Sequence, residues 1–320
     1  MIPRVLSTLP CFVISTALCA AVYQGNGIKI GEVTADSAVI WTRLTTTPEA
    51  NWSGAAFLEP SLDGNRAAVR AATEVAKESA FSSAAEKAAA KRPDALSQAD
   101  LRRIVETADW RTQLPPGRKL ADMQGALPGS AGEVRAVLTP ATGGTPVDTG
   151  WAAVEAARDH TRQFTIKGLQ SGTTYRVRVE SRDRGGRAGT SVEGTFRTAA
   201  AKDVPARVSF AVVTCGDYPR RDDPANGHRI YATMEAMNLD FLVHTGDVEY
   251  YDKPDPWGTS AELARFKWNR IFAVPFQRNF HNRTPAYFTN DDHDLLKNDC
   301  WPGQTYGALT WEQGLAIWNE

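Results

Sequence analysis

Three short segments in the last third of the chain carry the residue types from which a metal centre is built. They are Cys215-Gly216-Asp217, His244-Thr245-Gly246-Asp247-Val248-Glu249-Tyr250 and Asn290-Asp291-Asp292-His293. In the second, Gly246 permits a sharp turn after a strand, so that Asp247 points off the strand end and Tyr250 returns to the same place. A carboxylate with a phenolate suits a hard trivalent cation such as iron(III), which would take the tyrosine proton much as a metal deprotonates a thiol. Asp217 adds a second carboxylate, and Cys215 adds a soft donor on the same loop. Together these anions balance several positive charges without leaving one buried and unpaired. The third segment brings Asp291, Asp292 and His293, with Asp294, Asn298 and Asp299 close behind. So many acids repel one another unless a cation lies among them or water surrounds them, and the cation is the preferred reading. His293, next to a ligating Asp292, is placed to donate a proton to a departing alkoxide.

The segments need elements that deliver them to one edge. The apolar runs 208–213, 239–243 and 286–289 each precede a motif and read as buried parallel strands. Between them Ile230, Thr233, Met234 and Met237 share one helical face, and Thr259-Ser260-Ala261-Glu262 reads as a capping box opening a helix to about Ala273. This β-α-β-α-β order predicts a parallel α/β sheet, whose strands bring their C-terminal ends to a common rim.

Residues 22–200 read as all-β. The run 37–44 places Trp41 as a core-facing aromatic, while 162–169 and 174–179 alternate with a period of two, and 194–198 supplies a last strand. The turn 169–175, ending in Tyr175, resembles the tyrosine corner of fibronectin type III domains. A helical insert over about 60–125, with its best stretches at 67–90 and 97–110, is expected to be a solvated decoration without chemistry. Residues 199–205 read as a linker to a second domain over 205–320. The fold class expected is thus α/β plus all-β: a β-sandwich with a helical insert, then an α/β sheet.

Lys and Arg number 36 against 37 for Asp and Glu, so no global field attracts nucleic acid or an anionic membrane. Residues 1–21 have the pattern of a secretory signal, and no further segment suggests a membrane span. Export to the periplasm, cell surface or exterior is expected. Leu18 before Cys19 argues against lipidation. Beyond that signal, Cys215 and Cys300 remain; they could pair in an oxidising compartment, although Cys215 reads better as a metal thiolate.

Taken in order and after these strands, the three motifs resemble the alkaline phosphatase D (PhoD-like) branch of the calcineurin-like metallophosphatase superfamily, and the fibronectin-like region matches the N-terminal domain of that branch. The resemblance implies metal-dependent hydrolysis of a phosphate ester, monoester or diester. It implies an Fe(III) held by Cys215, Asp217, Asp247 and Tyr250 beside a Ca(II) held in part by Asp292, with Zn or Mn as other metals. It also implies that His293 contacts phosphate or protonates the leaving group. The Gly-Asp-x-x-Tyr element is similar to that of purple acid phosphatases. Two features depart from the branch: a single Arg4 stands where a twin-arginine signal is common, and the further ligands of the C-terminal half are expected beyond Glu320. The chain is therefore expected to hold the N-terminal part of the phosphatase domain, as a fragment of a larger product, leaving an apolar edge at Ile271, Phe272, Phe276 and Ile317. The other function considered is a secreted binding module with a vestigial phosphatase half. Arg220, Arg221 and Arg278 are within reach of phosphate in principle but read as solvated surface charge.

Overall fold

The computed structural model describes residues 21–58 and 98–320. The expected signal, but for Ala21, and the helical stretch at 67–90 lie outside the described residues. Strands β1 (Ile28–Gly31), β2 (Ser37–Arg43) and β6 (Thr161–Lys167) form antiparallel neighbours in the order β6-β2-β1. Facing them is a second antiparallel sheet of β3 (Glu133–Pro140), β4 (Val147–Asp148), β7 (Thr174–Arg182) and β8 (Ala188–Arg197), ordered β4-β3-β7-β8, with β5 (Ala152–Ala153) also on β3. One hydrophobic cluster fills the space between them, with Ile28, Ile30, Ala38 and Ile40 on one side and Val134, Leu138, Val177 and Phe196 on the other. This is the sandwich that the alternation in 162–179 requires, since every second residue must leave water.

Tyr175 forms the expected corner: it is buried, and its hydroxyl oxygen accepts the backbone N–H of Gln170 at 2.8 Å. Replacing it with phenylalanine should lower the free energy of unfolding by about 1 kcal/mol, read from the urea midpoint. An unchanged midpoint would show that the corner contributes packing alone. Trp41 is a correction. The inward residues of β2 are Ala38 and Ile40, and Trp41 is only half-buried on the opposite face, where its indole N–H donates to the Glu320 carbonyl at 3.0 Å.

The sandwich sheet does not end at β1. It continues through a parallel pairing of Gly31 with Ala286 into β11 (Ala286–Phe288), β10 (Phe241–His244) and β9 (Phe210–Val213), three parallel strands in the order β11-β10-β9. The strands on either side of 199–205 therefore share one six-stranded sheet.

Five helices serve this sheet and its rim: α2 (Arg229–Ala236), α3 (Ala261–Ile271), α4 (Pro275–Arg283), the short α5 (Asp292–Leu295) and α6 (Trp311–Trp318). The α3 N-cap is Ser260, whose hydroxyl accepts the Leu263 N–H, one residue beyond the Thr259 on which the predicted capping box was built. Other expectations change. The buried face of α2 carries Tyr231 and Met234, while Ile230 and Met237 are more than half exposed. Neighbouring Val208, Phe210 and Val212 are exposed too, because β9 is the outermost strand and nothing among the described residues covers that side. The apolar edge predicted at Ile271, Phe272, Phe276 and Ile317 is instead covered: Ile271 and Ile317 are buried, and the two phenylalanines are half-buried.

The described part of the insert is no solvated decoration either. Ahead of those five helices, α1 (Gln98–Thr107) buries Ile104 and Val105, and Val105 packs with Tyr251, Trp257 and Leu296 beneath the third motif. Its Glu106 pairs with Lys297 at 3.1 Å. Leu101, Ile104 and Val105 form a three-and-four spaced stripe that gives this helix something to bury.

Candidate metal centre

All three motifs lie where their strands end. Cys215 to Asp217 follow β9, Thr245 to Tyr250 follow β10, and Asn290 to His293 follow β11. Two backbone hydrogen bonds tie the first loops together, Gly216 N–H to Asp247 O at 2.7 Å and Cys215 N–H to Gly246 O at 3.3 Å. The close approach explains the glycines. A Cβ on Gly216 would lie 2.5 Å from the Val248 oxygen, and one on Gly246 would lie 2.6 Å from the Asp291 Cβ. Cys215, Asp217 and Asp247 all have positive φ, at 60°, 36° and 57°. Left-handed backbone at three non-glycine residues is strain that the surrounding structure must hold, and here it falls on three of the proposed ligands.

Asp247 is the hub. Its Oδ2 accepts the Tyr250 hydroxyl at 3.0 Å and lies 3.6 Å from the Cys215 Sγ, while its Oδ1 is buried with no hydrogen-bond partner. Asp247, Asp292 and His293 each offer a ligand atom, all within 4.8 Å of one another. Burial, then the hydrogen bonds to Cys215 and Asp247, pushes the Tyr250 phenol far above its usual range. Unaided, this tyrosine stays protonated; a cation among the donors reverses that preference.

Asp217 is buried, and its Oδ2 accepts Lys253 Nζ at 2.7 Å and forms an ion pair with Arg220 Nε at 3.1 Å, while its Oδ1 has no hydrogen-bond partner. Lys253 also stands 3.5 Å from the centre of the Tyr250 ring. An ammonium thus occupies the space between Asp217 and Tyr250, a stand-in for positive charge. Arg220, read from sequence as free surface charge, is exposed but caps this carboxylate. Arg221 instead lies over the Tyr218 ring.

The structure therefore brings Cys215, Asp247, Tyr250, Asp292 and His293 to one rim, with Asp217 on the adjoining loop turned to Lys253. Orphaned buried oxygens on Asp217 and Asp247, beside the Tyr250 phenol, fit a hard, multiply charged metal ion, and the Cys215 thiol is a softer donor next to them. Cys215 and Cys300 are both free thiols. Cys300 instead donates to the Asp292 carbonyl oxygen at 3.3 Å.

His293 Nδ1 lies 2.6 Å from Asp252 Oδ1, and its ring packs 4.4 Å from that of Tyr250. Burial alone would lower its pKa, but the hydrogen bond to Asp252 and the charges of Asp252, Asp247 and Asp292 together raise it. His244 differs: it is buried, stacked 5.8 Å from Phe288, and burial drops its pKa to about 4. It is a packing histidine.

Sequence reasoning gave no role to four residues that shape the rim. Asp252 orients His293. Asp294 is fully buried and accepts three backbone N–H groups, from Asp247 at 2.7 Å, Glu249 at 2.9 Å and Asp291 at 3.1 Å. Burial outweighs those hydrogen bonds and pushes its pKa to about 7. Beneath them Lys267 and Glu249, both without solvent exposure, pair at 3.5 Å. The spacing Tyr250-Tyr251-Asp252 was the available signal for Asp252, because a residue that returns to the rim brings its neighbours with it.

No family model matches the chain, and no curated protein matches it. Among solved structures, that of PhoD is similar at a TM-score of 0.50 and 16% identity, over 91% of this chain and 42% of that one. A purple acid phosphatase from yellow lupin seeds is similar at 0.42 and 12% identity, over 58% and 35% of the two chains. A fibronectin type III domain from a human protein is similar at 0.24 and 11%, over 60% and 85%. The chain spans less than half the length of the PhoD structure. With an all-β sandwich joined to parallel strands whose ends carry the three motifs, the chain has the fold of the matching part of PhoD.

Proposed function

We propose that this chain carries part of the metal centre of an exported phosphoesterase acting on a phosphate monoester or diester. The observation that supports it is the convergence of Asp247, Asp292 and His293 within 4.8 Å, with Tyr250 and Cys215 in contact with Asp247. Cys215, Asp217, Asp247 and Tyr250 would hold one cation, iron(III) by the chemistry of the donor set, and Asp247 with Asp292 a second, calcium or another divalent ion. Such ions supply Lewis acidity toward a phosphoryl oxygen and make a water acidic enough to attack.

The protein's own residues do the rest. Asp252 fixes the His293 ring through Nδ1 and favours its protonated form, so Nε2 is the nitrogen left to donate a proton to the leaving alkoxide. Lys253, paired with Asp217 at 2.7 Å beside the rim, carries a point charge that would suit a phosphate oxygen.

Metal quantification, visible absorption and turnover of p-nitrophenyl phosphate and bis(p-nitrophenyl) phosphate test this reading. Protein loaded with iron should absorb in the visible range, and Tyr250→Phe should abolish that band while Asp247→Ala loses most bound metal. Unchanged metal content in Asp247→Ala would remove the proposed centre. A folded chain that takes up no metal and turns over neither ester would support the binding-module reading instead.

A further inference from the structure

Away from the metal rim, a cavity of about 440 Å³ opens between the outer face of β1 and β2, α3 and α6. It shares no residue with the proposed ligand set. Its wall is aromatic: Trp41 from β2, Phe272 after α3, Trp268 from α3 and Trp318 from α6. Trp268 stacks at 5.7 Å on Phe272 and meets Trp318 edge-on at 5.6 Å. Lys29 of β1 lines the same space, with Nζ 4.8 Å from the Phe272 ring centre and 5.5 Å from that of Trp41.

The Lys29 ammonium in this cavity has no ion-pair partner among the described residues. Lys29 Nζ donates to the Asn26 carbonyl at 2.8 Å and grazes that of Ile28 at 3.5 Å, and no carboxylate among the described residues lies within salt-bridge distance. Of the other ionic groups lining it, Arg265 is paired with Glu320 and Asp159 with Arg43, while Glu32 at the mouth has no ion-pair partner among the described residues. An ammonium has three donors, and here the third has only the cavity to serve. Aromatic faces offer flat apolar area, and a cavity of this size is ordinary for a small-molecule site.

We propose that this cavity binds a small aromatic carboxylate, its ring against Trp41, Phe272 and the two tryptophans behind them and its carboxylate on the Lys29 ammonium. Burial, then the charge of Arg278, lowers the Lys29 pKa to about 7, so an anion is what would hold the proton in place. The groups facing Lys29 from α4 are Arg278 and His281; His281 stays neutral because burial, then Lys29 itself, drives its pKa well down. From α3 and α6 the Arg265–Glu320 pair faces it, and Glu32 stands exposed at the cavity mouth.

The probe is 2-naphthoate, titrated into the full chain by calorimetry and by tryptophan fluorescence at pH 6. A single site with a Kd of about 1 mM or tighter is expected, with at least tenfold loss for the neutral 2-naphthamide. Lys29→Met should lose binding to the same extent, and Lys29→Arg should restore it. Affinity should fall by pH 8.5 as the amine loses its proton. Absence of saturable binding, or equal affinity for acid and amide, overturns the proposal even if Lys29→Met fails to fold. Neither readout involves metal or ester turnover, so this result stands apart from that of the proposed centre.

Discussion

Asp294→Ala should destabilise the protein by about 3 kcal/mol or more and disperse the proposed metal ligands. The Asp294 carboxylate accepts from Asp247, Glu249 and Asp291, so one side chain sets the distance between the loop after β10 and the loop after β11. Removing it leaves three N–H groups without acceptors beside a site already carrying left-handed backbone at Asp247. Urea unfolding measures the first effect and metal stoichiometry the second. Asp294→Asn keeps one acceptor oxygen and should fall between wild type and alanine on both. A loss below about 1 kcal/mol with full metal content would mean that the two loops are held by other contacts.

Lys267→Met is expected to cost about 3–5 kcal/mol, because it strands the Glu249 carboxylate in the interior. Lys267 Nζ donates to the carbonyls of Pro256 at 2.9 Å and Lys253 at 3.2 Å as well as facing Glu249. Burial lowers its pKa to about 8 against the pull of Glu249, which shows how completely this amine has left water. Glu249 in turn accepts the Tyr250 N–H at 3.0 Å, so the pair sits directly under a proposed ligand. The double variant Lys267→Met with Glu249→Gln should recover much of the loss, since the amide oxygen can still serve Tyr250 and no charge is stranded. If the single variant unfolds at the wild-type urea concentration, the ion pair is dispensable.

What could be read from the sequence was local. An apolar run, a glycine and an acid within a few positions place a carboxylate at a strand end whatever the rest of the chain does, so the positions of Asp217, Asp247 and Asp292 on the rim were legible. Asp294 was visible as one more acid in a cluster. Its partner Asp247 lies 47 positions earlier, and only the packed loops reveal that it holds backbone.

Trp41 was misread for a different reason. In Ala38-Val39-Ile40-Trp41 both faces of the strand are apolar, because one covers the sandwich core and the other lines the Lys29 cavity. Alternation cannot choose between two covered faces. The insert was judged by composition, and the apolar stripe of Leu101, Ile104 and Val105 was lost among its alanines and charges.

The Gly31–Ala286 pairing bears on how the chain is made. Its neighbouring contact, the Tyr287 hydroxyl donating to the Val33 carbonyl at 2.6 Å, joins residues 254 positions apart. During vectorial synthesis β1 can join β2 and β6 early, yet its far side stays open until β11, the third parallel strand, has been translated. That waiting edge is a docking invitation to any other nascent strand. Newly made chains should accordingly benefit most from a chaperone between completion of the sandwich and arrival of β11.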